Sequence, residues 1–102
     1  MSQGGEVIDE PLRAHEAGRL IRQLLRQGGT VRFTSHALRE LEKDDLEEID
    51  AINVLRVGVV AEAEWENGGW RHRVQTPRVA LVVEFEQDEN VVVVVITGWR
   101  KQ

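Results

Sequence analysis

Apolar positions follow two different rhythms along this chain. Ala17, Leu20, Ile21, Leu24 and Leu25 recur at helical spacing and mark one face of a first helix. Asp9 is placed to cap that helix, Pro11 is tolerated in its first turn, and Gly28-Gly29 ends it. Residues 30–34 read as a short extended link. Ser35 is the expected cap of a brief second helix carrying Ala37, Leu38 and Leu41. Asp45, followed three positions on by Glu48, has the form of a capping box. It would open a third helix that presents Leu46, Ile49, Ile52 and Leu55 and stops at Gly58.

Beyond Gly58 the period changes to two. Val59, Ala61, Ala63 and Trp65 alternate with Val60, Glu62, Glu64 and Glu66. Asn67-Gly68 follows, the strongest short hairpin signal, because both central residues of a type I′ turn need positive φ. That turn sets Trp65 opposite Trp70, Glu64 opposite Arg71 and Glu62 opposite Arg73. Aromatic residues then pair on one face and ions on the other; a turn at Gly68-Gly69 would also pair Glu with Arg. Thr76-Pro77 breaks the run, and Val79, Leu81, Val83 and Phe85 then alternate with Arg78, Ala80, Val82, Glu84 and Glu86. Residues 87–90 form a polar turn. Residues 91–96 are apolar on both faces, as in an interior strand or one whose second face is partly covered.

The expected fold is therefore α+β, with N-terminal helices packed on one face of a four-stranded antiparallel sheet. The helices would cover Ala61, Ala63, Trp65, Trp70, Val74, Leu81, Val83, Phe85, Val92, Val94 and Ile96. The open face would show Glu62, Glu64, Arg71, Arg73, Gln75, Arg78, Val95, Thr97 and Trp99.

Composition narrows the setting. At 102 residues and 41% hydrophobic content, one domain with one core is expected, over residues 10–102 behind a flexible tail at 1–9. The absence of Cys removes disulfides and cysteine-based zinc sites. A polar start without an apolar stretch, and no apolar run long enough for a bilayer, point to the cytoplasm and away from membranes. The net charge of −5 means that any nucleic-acid site must be a local basic patch on an acidic body.

The order of parts, with Val31-Arg32-Phe33-Thr34-Ser35-His36-Ala37-Leu38 leading into a helix and a valine-rich last strand, resembles a known family. It is the bacterial family called domain of unknown function four-two-five-eight, which is similar in layout to the MqsR and BrnT toxins of the RelE-like group. The resemblance runs over about residues 20–101, and its most specific piece is the T-x-H-A of Thr34 to Ala37. It implies a RelE-like fold and a type II toxin of a toxin–antitoxin pair. Such a toxin is an mRNA endoribonuclease that works on free or ribosome-bound mRNA without a cofactor and is held by a cognate antitoxin protein. The chain departs from such toxins in its acidic balance and its lack of Tyr.

A metal-free ribonuclease needs a base for the ribose hydroxyl, an acid for the leaving oxygen, and cations at the phosphoryl group. His36, at the start of the second helix, is the first candidate for acid or base. A half-exposed histidine without chemistry is the plain alternative. Arg73 and Arg78 are the expected phosphate clamps, since the guanidinium fork matches phosphate and stays charged. Trp99 offers a stacking surface, and Arg39, Arg71, Arg100 and Lys101 are further RNA-binding candidates. Each has a bland rival: Arg39 paired with a neighbouring Glu, Arg71 and Arg73 neutralised by Glu62 and Glu64, Arg100 and Lys101 in a frayed terminus. His72 falls on the helix side and reads as a core histidine, His15 as ordinary. The three His have no metal-ligand spacing. The rival function is a non-catalytic module whose open sheet face binds a partner protein.

Overall fold

The computed structural model describes residues 8–87 and 89–102. Residues 1–7 of the expected tail, and Asp88 of the polar turn, lie outside the described residues. Ile8 is not a loose tail residue: its N–H donates to Gln87 Oε1 at 3.3 Å, and its side chain packs on the core.

The elements in order are α1 (Ala14–Arg26), β1 (Val31–Phe33), α2 (Ser35–Lys43), α3 (Glu48–Val57), β2 (Val59–Val60), β3 (Glu64–Glu66), β4 (Gly69–Gln75), β5 (Val79–Gln87) and β6 (Val91–Arg100). The fold is α+β, but the sheet is six-stranded and mixed rather than four-stranded and antiparallel. Its order is β1-β6-β5-β4-β2, with β3 on β4. The link at 30–34 supplies the additional edge: β1 runs parallel to β6, with Val31 against Val93 and Phe33 against Val95. Three residues are too few for a period to register, so this strand left little trace in the pattern. Its arrival makes β6 an interior strand, which is why residues 91–96 are apolar throughout. On the second face, the Arg32–Glu86 ion pair reaches from β1 to β5 across β6, where Val94 is buried.

All three helix starts differ from the expected ones, because carboxylates and a hydroxyl nearer the first turn win. The Glu16 carboxylate accepts the Arg13 N–H at 2.9 Å and Glu62 accepts that of Ala14 at 3.1 Å, so α1 begins beyond Asp9 and Pro11. Thr34, not Ser35, caps α2; its Oγ1 accepts the Ala37 N–H at 2.9 Å and donates to the Ile96 carbonyl at 3.1 Å. Glu47 opens α3, with the Asp50 carboxylate accepting its N–H at 2.8 Å. Asp45 instead sits at φ 59° in the turn before it.

The hairpin forms as expected. Asn67 and Gly68 have φ of 51° and 82°, Trp65 opposes Trp70, and Glu64 opposes Arg71. The two indoles meet edge to face at 5.1 Å. They share a face with His72 and Val74, but Trp65 is left 61% exposed while Trp70 is half-buried. The long strand expected from Val59 is broken over residues 61–63. Glu62 leaves the ladder there and turns to α1, pairing with Arg13 at 3.5 Å rather than with Arg73.

A bulge in β6 reverses part of the expected facing. Val83 pairs with Val95 but Val82 pairs with Thr97, which leaves Ile96 as the extra residue. Val91, Val93 and Val95 therefore face the helices, in place of Val92, Val94 and Ile96, while Thr97 and Trp99 stay on the open face. The core lies between the sheet and Ala17, Ile21, Ala37, Leu41, Ala51 and Leu55 of the helices. Among the described residues no helix is long and apolar enough to cross a membrane.

Candidate functional site

The strand register builds the open face in rows. Arg73, Val82 and Thr97 form one row, and Gln75, Ala80 and Trp99 the next. The Arg73 guanidinium carbon lies 5.2 Å from the centre of the Trp99 ring, so the two side chains close over β5. A large residue at position 80 would obstruct that contact; Ala80, 1% exposed, permits it. A cation–π contact at such a site contributes about 0.5–1 kcal/mol. Arg73 is exposed and has no carboxylate within ion-pair distance among the described residues.

Beside it lies a groove of about 330 Å³ lined by Glu64, Glu66, Arg71, Arg73, Gln75 and Val82, among others. Arg71 is committed within it: its Nε donates to Glu84 at 2.7 Å and its Nη1 to Glu66 at 3.4 Å. Glu84 was the missed partner. The pairing of His72 with Val83, continued by one residue, sets Arg71 against Glu84, a signal available only once the β4–β5 turn is placed. Glu64, despite standing opposite Arg71 in the ladder, has no ion-pair partner among the described residues.

The other candidates divide. Arg78 stands at the β4–β5 turn, which Thr76 Oγ1 closes by accepting the N–H groups of Arg78 and Val79. It is exposed, and alternation places it on the open face one row beyond Ala80. Lys101 is not frayed; its Nζ donates to Gln75 Oε1 and the Thr76 carbonyl, both at 3.1 Å. Arg100 points to the helix side. Its backbone N–H donates to Asp44 Oδ2 at 2.7 Å and its guanidinium to the carbonyls of Asp44 and Asp45, which pins the end of α2. His36 and Arg39 are exposed on α2, whose Ala37 and Leu41 pack into the core. The sheet thus separates them from Arg73 and Trp99. His36 lies near Glu40, whose carboxyl is held below its usual value first by the hydrogen bond from Lys43 and then, in smaller part, by the Lys43 and His36 charges.

His72 is sealed from solvent at 0% exposure. Its Nδ1 donates to the Ala61 carbonyl at 2.9 Å, and its ring meets Phe85 edge-on at 5.9 Å. Nε2 is buried with no hydrogen-bond partner. His15 is exposed on α1. Among the described residues no three His, Asp or Glu side chains gather as a metal site requires.

Glu10 carries a testable pH effect. Burial raises its carboxyl above the ordinary value, partly offset by His72 and reinforced by Glu84. The folded state thus holds the proton more tightly than the unfolded one. This contribution is fully present below the ordinary carboxylate pKa of about 4.3 and is lost as pH rises through the raised value. Glu10→Gln should therefore stabilise the domain at pH 7, by less than about 0.5 kcal/mol because the residue remains exposed. Urea unfolding should show the gain vanishing towards pH 4; a gain independent of pH would contradict it.

No family model, no curated protein and no solved structure matches the chain.

Proposed function

We propose that the chain is a toxin-type mRNA endoribonuclease whose open sheet face holds single-stranded RNA, with a cognate antitoxin protein as its partner. The observation that carries this reading is Arg73 stacked on Trp99 at 5.2 Å with no carboxylate partner among the described residues. Of the acidic residues nearby, Glu62 is engaged with Arg13 and both Glu66 and Glu84 with Arg71, while Glu64 lines the same groove without reaching ion-pair distance of Arg73. A guanidinium beside an indole serves a nucleotide twice, at the phosphate and at the base. Arg78 extends the cationic line along the same face.

Cleavage also requires a base beside the held phosphate. Glu64 lines the groove next to Arg73 and is the carboxylate we assign to that role. His36 would serve only an RNA that passed around the sheet edge at β1.

The experiment is cleavage and binding of an unstructured RNA in the presence of a chelator, with growth arrest on induced expression as the cellular readout. Trp99→Ala should weaken binding by about 1–3 kcal/mol, the range for losing one base stack. Arg73→Ala should weaken it and lower the salt dependence by about one counterion. Glu64→Gln should slow cleavage while binding persists, and His36→Ala should leave both intact. A His36→Ala variant that binds but no longer cleaves would move the acid–base role to the histidine. A second reading, a non-catalytic module that binds a protein on the same face, is favoured by the burial of His72 and the remoteness of His36. Wild type that neither binds nor cleaves RNA, and never arrests growth, would decide for that module.

A further inference from the structure

A second surface lies at the opposite end of the sheet order from β1. Along α1, the end of α3 and β2 runs a trough made of two adjoining hollows of about 450 Å³ and 300 Å³, which share Arg22. Its apolar floor includes Leu25, Val57 and Val59, and the two valines are 68% and 74% exposed. Its rim is cationic. Arg22 is fixed across the α3 end, with Nε donating to the Arg56 carbonyl at 3.2 Å and Nη2 to that of Gly58 at 3.0 Å. Arg56 Nη1 donates to the neutral Asn53 Oδ1 at 2.9 Å, and Arg26 is exposed one helical turn beyond Arg22. None of the three has a carboxylate within ion-pair distance among the described residues.

These three guanidinium groups, without carboxylate partners and set around exposed valines, make a local basic and apolar patch on a chain of net charge −5. The lining holds no Phe, Tyr or Trp; its one ring is the His15 imidazole, and its exposed floor is aliphatic. We infer that this trough docks an acidic amphipathic helix of a partner protein. Aliphatic side chains from one helix face would cover Leu25, Val57 and Val59, and carboxylates flanking them would reach Arg22, Arg26 and Arg56. Complementary charge would speed docking and reject basic partners. The site is separate from the Arg73–Trp99 face and does not depend on the RNA reading.

The test uses the whole chain and a fluorescein-labelled peptide with Leu at i, i+3, i+4 and i+7 and Glu on its remaining faces. Anisotropy should show saturable binding that weakens about tenfold or more in Arg26→Glu/Arg56→Glu and in Val59→Asp. The milder Arg26→Gln/Arg56→Gln pair, checked by a thermal melt, should show the same loss in a folded protein. Arg73→Ala should bind the peptide as wild type does, which keeps this result distinct from the open-face reading. No binding at millimolar peptide, equal binding of the Lys counterpart, or affinity unchanged by the double charge reversal would overturn the proposal. So would an oligouridylate whose binding is lost in those variants, or self-association lost in them without peptide binding; the occupant would then be nucleic acid or a second copy.

Discussion

Replacing His72 with Ala should destabilise the domain by about 2–5 kcal/mol, the range for truncating a large buried side chain. The ring is wholly enclosed, stands against Phe85 and ties β4 to the Ala61 carbonyl beside the break between β2 and β3. Truncation would leave a void in the layer between sheet and helices and remove one tie of Ala61 to β4, leaving the bond from the Ala61 N–H to the Arg73 carbonyl at 2.8 Å. His72→Phe isolates the polar part of the effect. It restores a ring against Phe85 and removes the unpartnered Nε2, at the loss of one hydrogen bond to an exposed residue. The phenyl ring is larger than the imidazole, so the cost should be about 1–3 kcal/mol, below that of His72→Ala. Urea unfolding measures both. Wild-type stability in His72→Ala would mean that the ring is not packed as described. Loss of RNA cleavage in a folded His72→Phe would give the histidine a chemical role that its burial argues against.

Gly98→Val should cost about 1–3 kcal/mol, the usual penalty for overpacking. A Cβ at position 98 would stand 2.7 Å from Leu81 Cδ2, 2.9 Å from Leu41 Cδ2 and 3.3 Å from the Ala80 carbonyl. Glycine here is what lets α2 lie directly on β6. Valine would push α2 outward or twist the strand, and the next residue in that strand is Trp99. A change of 1 kcal/mol moves the melting temperature of a domain this size by about 4–8 °C, so a thermal melt resolves it. Gly98→Ala should cost less, since the two nearest atoms are tips of leucine side chains that can turn. RNA affinity should fall in Gly98→Val alongside stability, because the Arg73–Trp99 stack is set by the strand beneath it. A Gly98→Val protein that melts with wild type would show that α2 has room to spare.

Much of the fold was legible in short stretches. Alternation through Val79–Gln87 gave the inward Leu81, Val83 and Phe85 and the outward Val82 and Glu84 correctly. Asn67-Gly68 named its own turn, since the demand for positive φ at two successive residues is met by few pairs. The apolar run at 91–96 fitted an interior strand or one covered on its second face, and β6 does lie between β1 and β5. At the site, Arg73 and Trp99 were placed on a common face by parity alone, and their contact bears that out.

What the sequence by itself determined was whatever depends on a few neighbouring residues: helical or strand period, turn conformation, and the side of a strand on which a residue falls until the strand is interrupted. The tertiary structure decided the rest. β1 is a strand only because the edge of β6 offers it hydrogen bonds, some sixty residues away in the chain. One extra residue at Ile96 inverted the facing of the valines before it relative to Trp99, and no local pattern marks where such an insertion falls. The arginines show the same limit in charge. Arg71, Arg73 and Arg100 are alike in type, yet Arg71 is neutralised by Glu84, Arg100 holds the end of α2, and Arg73 is left to Trp99. Coulomb attraction and hydrogen bonding act over a few ångströms of space, so the partner of a charge is chosen by register and by the crossing of strands rather than by its neighbours in the chain.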